Sequence, residues 1–261
     1  TYKGNTSLAG DTTLSGTTAS FNSAISGGGN DLSLNMSGLT SLDQGISNVS
    51  NFSSTGDVSL AGSFNTSGSQ TFGGNVSLSG DTTLSGSTGS LAGVVGNNNN
   101  LSLNFSGGSV AIDGAFSGIA DFVAETDVSL NGSISTSGSQ TYKGNTSLAG
   151  DTTLSGTTAN FNNTISGGGN DLSLNMSGLT SLDQGISNVS KFSSTGDVSL
   201  GGTFSTSGSQ TFGGNVSLSG HTSLSGTTSS LSGVTGNDNN LSLNFSGGSV
   251  AIDGAFTGIA D

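Results

Sequence analysis

Gly4-Asn-Thr-Ser-Leu-Ala-Gly-Asp-Thr-Thr-Leu-Ser-Gly16 returns in close copies at residues 74–86, 144–156 and 214–226, each 70 residues after the last. Its two short words, Thr6-Ser-Leu8 and Thr12-Thr-Leu14, are each followed two residues on by glycine. The backbone is therefore told to run extended, turn, and run extended again. Self-similarity at a fixed period points to a stacked solenoid, in which each turn has only a narrow apolar strip that its neighbours cover.

The composition agrees with that reading. Of 261 residues only 30% are hydrophobic and 7% charged, too few apolar side chains for a broad globular core. Disordered chains of such low hydrophobicity are rich in Pro, Glu and Lys, whereas this chain has no Pro, one Glu and three Lys. Without proline every residue keeps an amide for a neighbouring strand. With no Cys there is neither disulfide nor thiolate site. The formal charge of −13 argues against a nucleic-acid or anionic membrane partner. No apolar run approaches the ~20 residues of a membrane span. Thr1 begins no signal peptide, and the chain starts and stops inside its pattern, as a segment of something longer would.

The repeats run 1–70, 71–140, 141–210 and, in part, 211–261, read together as one continuous solenoid. Repeat three differs from repeat one at seven positions, and 211–261 differs from 71–121 at eight, so a 140-residue unit is also present. The word "Gly or Asn, Asp, any residue, Ser or Thr or Val-Ser, Leu" marks Asp11, Asp31, Asp57 and Asp81. Taking each interval as one turn gives three turns per repeat, about 23 residues per turn and about 11 turns. Leu14, Leu34 and Leu60 then share one interior column, and Leu84 stands above Leu14. The expected rod is on the order of 50 Å long at the usual strand spacing. The first turn has room for three strands, Thr12–Leu14, Ala19–Phe21 and Ala24–Ser26.

Exchanges between repeats indicate facing. Tyr2 to Phe72, Phe21 to Leu91 and Met36 to Phe105 keep a large apolar residue, and Phe52, Phe122 and Phe192 do not change. Ser20 to Asn160, Ser23 to Asn163, Asn51 to Lys191 and Asn65 to Ser205 stay polar and face water. Asp81 to His221 falls at a turn before a strand. Stacked carboxylates at Asp11, Asp31, Asp57 and Asp81 would repel unless exposed and bonded to local amides.

Motifs with possible chemistry have simpler readings. Gly27-Gly-Gly-Asn-Asp31 resembles a calcium β-roll word, but it recurs only at 167–171 and reads as a glycine turn. Asp43, Asp113, Asp183 and Asp253, and Asp57 with Asp127 and Asp197, recur as duplicated solvated turns would. Catalysis by paired carboxylates needs one site, and basic partners are limited to His221, Lys3, Lys143 and Lys191. An ice-binding face would need a flat rank of Thr, yet Ser33 and Ser59 stand where Thr13 would be matched. Asn-x-Ser/Thr triplets such as Asn5-Thr-Ser7 are numerous in so polar a chain. No strand–Gly–helix context makes a nucleotide loop. No catalytic, metal or cofactor residue is assigned.

Ser69-Gln-Thr-Phe72, Gly74-Asn-Val-Ser-Leu-Ser-Gly80, Asp81-Thr-Thr-Leu84 and Phe161-Asn-Asn-Thr-Ile-Ser-Gly167 resemble the repeats of filamentous-haemagglutinin-like bacterial surface adhesins, giant β-strand-repeat proteins. The resemblance covers the whole chain. It implies a right-handed parallel β-helix, export to the cell surface, and roles in adhesion, aggregation or filament building. The expectation is an all-β, non-enzymatic structural segment of an extracellular fibre or adhesin stalk. Its expected partners are further copies of its own repeats or chains, or surface glycans. A multivalent glycan-binding module is the alternative, and ice binding a third.

Overall fold

The computed structural model describes residues 1–260. Among them are 33 strands and no helix, and the strands pair in parallel as turns of a β-solenoid. The chain divides into two compact units, Thr1–Val128 with Ser135–Ser137, and Ser129–Ile134 with the chain from Gly138 onward. Together they hold about 13 turns, more than the 11 expected.

In the first unit each turn lays one strand on each of three parallel ladders. The first turn places Thr12–Gly16, Ala19–Phe21 and Ile25–Ser26 on the three, close to the strands read from the sequence. On one ladder Leu14 pairs with Leu34, Leu34 with Ser54, Ser54 with Phe72, Phe72 with Leu91, and Leu91 with Ile112. On the second Phe21, Leu42, Leu60 and Leu78 follow one another. The third runs Ile25, Ile46, Phe64, Leu84 and Leu103.

This register corrects two expectations. Leu60 is not in the column of Leu14 and Leu34, where Ser54 takes its place, and Leu84 does not stand above Leu14. The physical reason lies in the marker word. Asp11 and Asp31 precede strands of the same ladder, but Asp57 precedes Val58–Thr66 on the second, and Asp81 precedes the Thr82–Gly86 part of Val76–Gly86 on the third. The first interval is therefore one turn, and the next two are each a turn and a third. A 70-residue repeat advances three turns and two thirds rather than three.

Each corner makes the same demands on the chain, an extended strand entered through a polar cap, so one word serves at all three. Partners across a step stand 18 to 22 residues apart, shorter than the 23 expected.

The second unit obeys the same rule. Leu154, Leu174, Ser194, Phe212, Leu231 and Ile252 form one ladder. Leu224, the next repeat's equivalent of Leu154, lies on another, between Phe204 and Leu243.

Period-two alternation decides facing on every strand. Leu32–Met36 buries Leu32, Leu34 and Met36 and turns Ser33 and Asn35 outward. Phe52, Phe122 and Phe192 are fully buried, as are Phe72, Phe105 and Phe161. Each such side chain contributes roughly 1.5–3 kcal/mol of apolar burial. Ser20, Ser23, Asn51 and Asn65 with their counterparts Asn160, Asn163, Lys191 and Ser205 are exposed or half-buried, as expected. Tyr2 stacks on Phe21 with ring centroids 4.5 Å apart, and Tyr142 on Phe161 at the same distance.

The opening stretch spans one corner, with Thr6–Ser7 and Thr12–Gly16 on different ladders. Its copy at 74–86 becomes a single bent strand, Val76–Gly86, whose register shifts between Leu78 and Thr82. Other corners need glycine. A Cβ on Gly27 would lie 2.4 Å from the Asn48 carbonyl, and Gly45 combines φ of +74° with a Ser63 carbonyl 2.1 Å from the place of its Cβ.

Candidate functional site

The polar chemistry of the chain is concentrated at the corners and on the outward ranks of the strands. At the corners a side-chain acceptor takes the backbone N–H of the residue one turn on. Asp11 accepts from Asp31, Asp31 from Asn51, and Asn51 from Ser69, at 2.9–3.0 Å. Asp57 accepts from Asn75, Asp81 from Asn100, Asp151 from Asp171, Asp171 from Lys191, and Asp197 from Asn215. His221 does the same through Nδ1, accepting from Asn240 at 3.0 Å.

The fear of four stacked carboxylates is therefore misplaced. Of Asp11, Asp31, Asp57 and Asp81 only the first two share a corner, and there the amide of one bonds the carboxylate of the other. The Asn51 side-chain amide, and after it the Asn51 backbone amide, holds the Asp31 carboxyl below its ordinary range. Hydrogen bonds to the charged form favour it.

Asp43 and Asp183 work differently. The hydroxyls of Ser41, Ser59 and Ser79 all donate to Asp43, and those of Ser181, Ser199 and Ser219 to Asp183. Each carboxylate thus ties together serines from three successive turns. In the even repeats Ser41 and Ser181 are replaced by Ala111 and Ala251, so the same three-serine arrangement cannot form at Asp113 and Asp253. Equal sequence positions acquire unequal chemistry.

In the glycine word, Gly28 and Gly29 take φ of +61° and +83°, and Asn30 Nδ2 donates to the Leu8 and Gly27 carbonyls. Gly168, Gly169 and Asn170 repeat the arrangement. The oxygens of Asp31 face amides of Asn51, the geometry of a turn cap. Among the described residues no group of three or more His, Asp or Glu is placed to hold a metal ion.

The outward rank that holds Thr13 continues through Ser33, Ser53, Thr71 and Ser90. Ser53, not the expected Ser59, follows Ser33, because Ser59 lies on the next ladder with Ser41. The rank mixes Ser with Thr, and its hydroxyls bond one another, Ser53 Oγ donating to Ser33 Oγ at 3.0 Å.

Three buried glutamines escaped the sequence reading. Gln70, Gln140 and Gln210 are at most 1% exposed. Gln70 Nε2 donates to the carbonyls of Phe64 and Ser85, both at 2.8 Å, and Gln210 Nε2 to those of Phe204 and Ser225. Gln140 Nε2 reaches Ile134 and Ser155. Each ties two turns from inside. The signal was present: in Ser69-Gln-Thr-Phe72 glutamine stands two residues before an inward aromatic, and so faces inward itself.

The Tyr142 hydroxyl donates to Gln140 Oε1, and burial pushes this phenol well above its ordinary pKa. No helix among the described residues is long and apolar enough to cross a membrane. No family model matches the chain, and searches of curated proteins and of solved structures return no match.

Proposed function

We propose that this chain is a non-enzymatic structural segment of an extracellular bacterial fibre, filament or adhesin stalk. The observation that carries the reading is the use of side-chain polar groups within the fold. Corner carboxylates accept backbone amides, Asp43 and Asp183 gather serine hydroxyls, and buried glutamines tie turn to turn. In-register parallel ladders with filled interior columns make each unit stiff along its stacking direction. The acidic surface with its Ser, Thr and Asn ranks keeps it hydrated and resists non-specific sticking. The sequence resemblance to bacterial surface adhesin repeats supports the location outside the cell, with further copies of the same repeats as partners.

Negative-stain imaging of the purified chain tests this. Thin rods or fibres are expected, and globular particles would overturn the proposal.

The second reading, a multivalent glycan-binding module, is favoured by the repetition of exposed hydroxyl ranks turn after turn. Because consecutive repeats present equivalent residues on different ladders, a flat ligand surface meets any one of them less often than every 70 residues. Cell adhesion measured with two repeats against four separates the readings. A structural spacer gives no avidity gain with repeat number, and a binding module does. A thermal-hysteresis assay tests the ice-binding alternative.

A further inference from the structure

We propose that His221 makes one corner of the second unit open in acid. Among the corner acceptors described above, Asp11, Asp31, Asp57, Asp81, Asp151, Asp171 and Asp197 offer a carboxyl oxygen and Asn51 an amide oxygen to the next turn's backbone. A carboxyl group keeps a carbonyl acceptor whether or not it holds a proton. His221 offers Nδ1 to the Asn240 amide at 3.0 Å. A ring nitrogen accepts only while the imidazole is neutral, and here the neutral ring must carry its proton on Nε2.

Protonation places a second donor on Nδ1, directly facing the Asn240 N–H. Two donors then confront each other and the bond is lost. The ring is exposed, so protons reach it freely, and it borders a shallow groove lined by Thr203, Ser223, Asn240 and Ser242 into which it can turn. The Asn240 carbonyl meanwhile accepts from the Thr222 amide at 2.9 Å. Loosening residue 240 therefore frees the start of the ladder between Val216–Gly226 and Leu241–Phe245. That ladder is the weaker kind, since Leu241, Leu243 and Phe245 are only half-buried.

No other charge competes strongly for the ring. The strands packed against Val216–Gly226 are Val198–Thr206, Val234–Asn239 and Leu241–Phe245, and the one titratable side chain on them is Asp238. Asp238 sits in a left-handed turn with φ of +61°. The repeat that carries Asp81 at the same place has the acid-insensitive version of this corner, with Asn100 N–H on Asp81 at 2.8 Å.

Amide hydrogen exchange of the full chain, followed residue by residue at pH 7.5 and pH 5.0 and expressed as protection factors, tests the proposal. Asn100 serves as the internal control. Protection of Asn240 relative to Asn100 is expected to fall about tenfold in acid, as loss of one hydrogen bond implies, and to stay constant in His221→Asp. The variant restores the residue that the chain already uses at Asp81, so it keeps the fold. An unchanged ratio in the parent chain, or the same fall in His221→Asp, overturns the proposal.

Discussion

Tyr142 donates its hydroxyl to the Oε1 of Gln140 at 2.8 Å, inside a fully buried corner of the second unit. Gln70 and Gln210 hold the same inward position, but the residue two places on is Phe72 or Phe212, and their Oε1 atoms have no hydrogen-bond partner. A buried acceptor without a donor costs free energy that a well-placed hydroxyl recovers. Phe72→Tyr and Phe212→Tyr should therefore each stabilise the chain by about 1 kcal/mol. Tyr142→Phe should destabilise it by about 1–3 kcal/mol. Thermal melting checks all three, and a lowered midpoint in both Phe→Tyr variants would contradict this account of the corner.

The same phenol sets an alkaline limit. Burial raises the pKa of Tyr142 in the folded chain, so the folded state holds its proton where the unfolded chain releases it. The sign follows from linkage. The associated stability is complete below the unfolded tyrosine value of about 10 and is lost as pH rises beyond it. Chemical denaturation at pH 9 and pH 11 should show a fall in stability that is smaller in Tyr142→Phe.

Core positions should tolerate no charge. Leu34 and Phe52 are 1% exposed. Leu34→Asp or Phe52→Asp would bury an unpaired carboxylate, and each is expected to lower the melting midpoint by well over 10 °C or to prevent folding. An unaltered melt would mean that the facing is wrong. Asn51→Lys is a milder case. It keeps the exposed position but removes the acceptor for the Ser69 amide, so exchange of that amide should quicken while the melt barely moves.

Two glycines with similar backbone angles should respond differently to alanine. Gly29, at φ +83°, has open space around the place of its Cβ, whereas at Gly45, φ +74°, the Ser63 carbonyl lies 2.1 Å away. Gly29→Ala should cost about 1–2 kcal/mol, the penalty of a left-handed alanine. Gly45→Ala should cost distinctly more, because backbone must also move. Equal losses in denaturant melts would count against the tight corner.

Asp43→Ala should remove the shared acceptor of Ser41, Ser59 and Ser79, and Asp183→Ala that of Ser181, Ser199 and Ser219. A drop of a few degrees in melting temperature is expected from each, in keeping with a loss of about 1–2 kcal/mol in a chain of this size. Restoration by Asp43→Asn should be partial, since one amide oxygen replaces two carboxylate oxygens.

The sequence by itself determined that the chain is all β, that its turns stack, and which side chains point inward. The first turn's strands, the burial of Phe52, Phe122 and Phe192, and the exposure of Asn51 and Lys191 all follow from period-two alternation and from exchanges between repeats. Local chemistry is enough for those, because a Leu or a Phe two residues from another has the same facing wherever its strand pairs. The tertiary structure alone decided the phase. Asp11, Asp57 and Asp81 mark corners on three different ladders with one word, since each corner asks only for an amide acceptor followed by an inward apolar residue. How many residues close a turn depends on where the backbone ladders meet, and on tight passages such as Gly27 and Gly45. That closure puts Leu14 beside Leu34 and Ser54, and Leu84 beside Phe64 and Leu103. It also brings Ser79 to Asp43 across 36 residues and Ser85 to Gln70 across 15, pairings that no local pattern could specify.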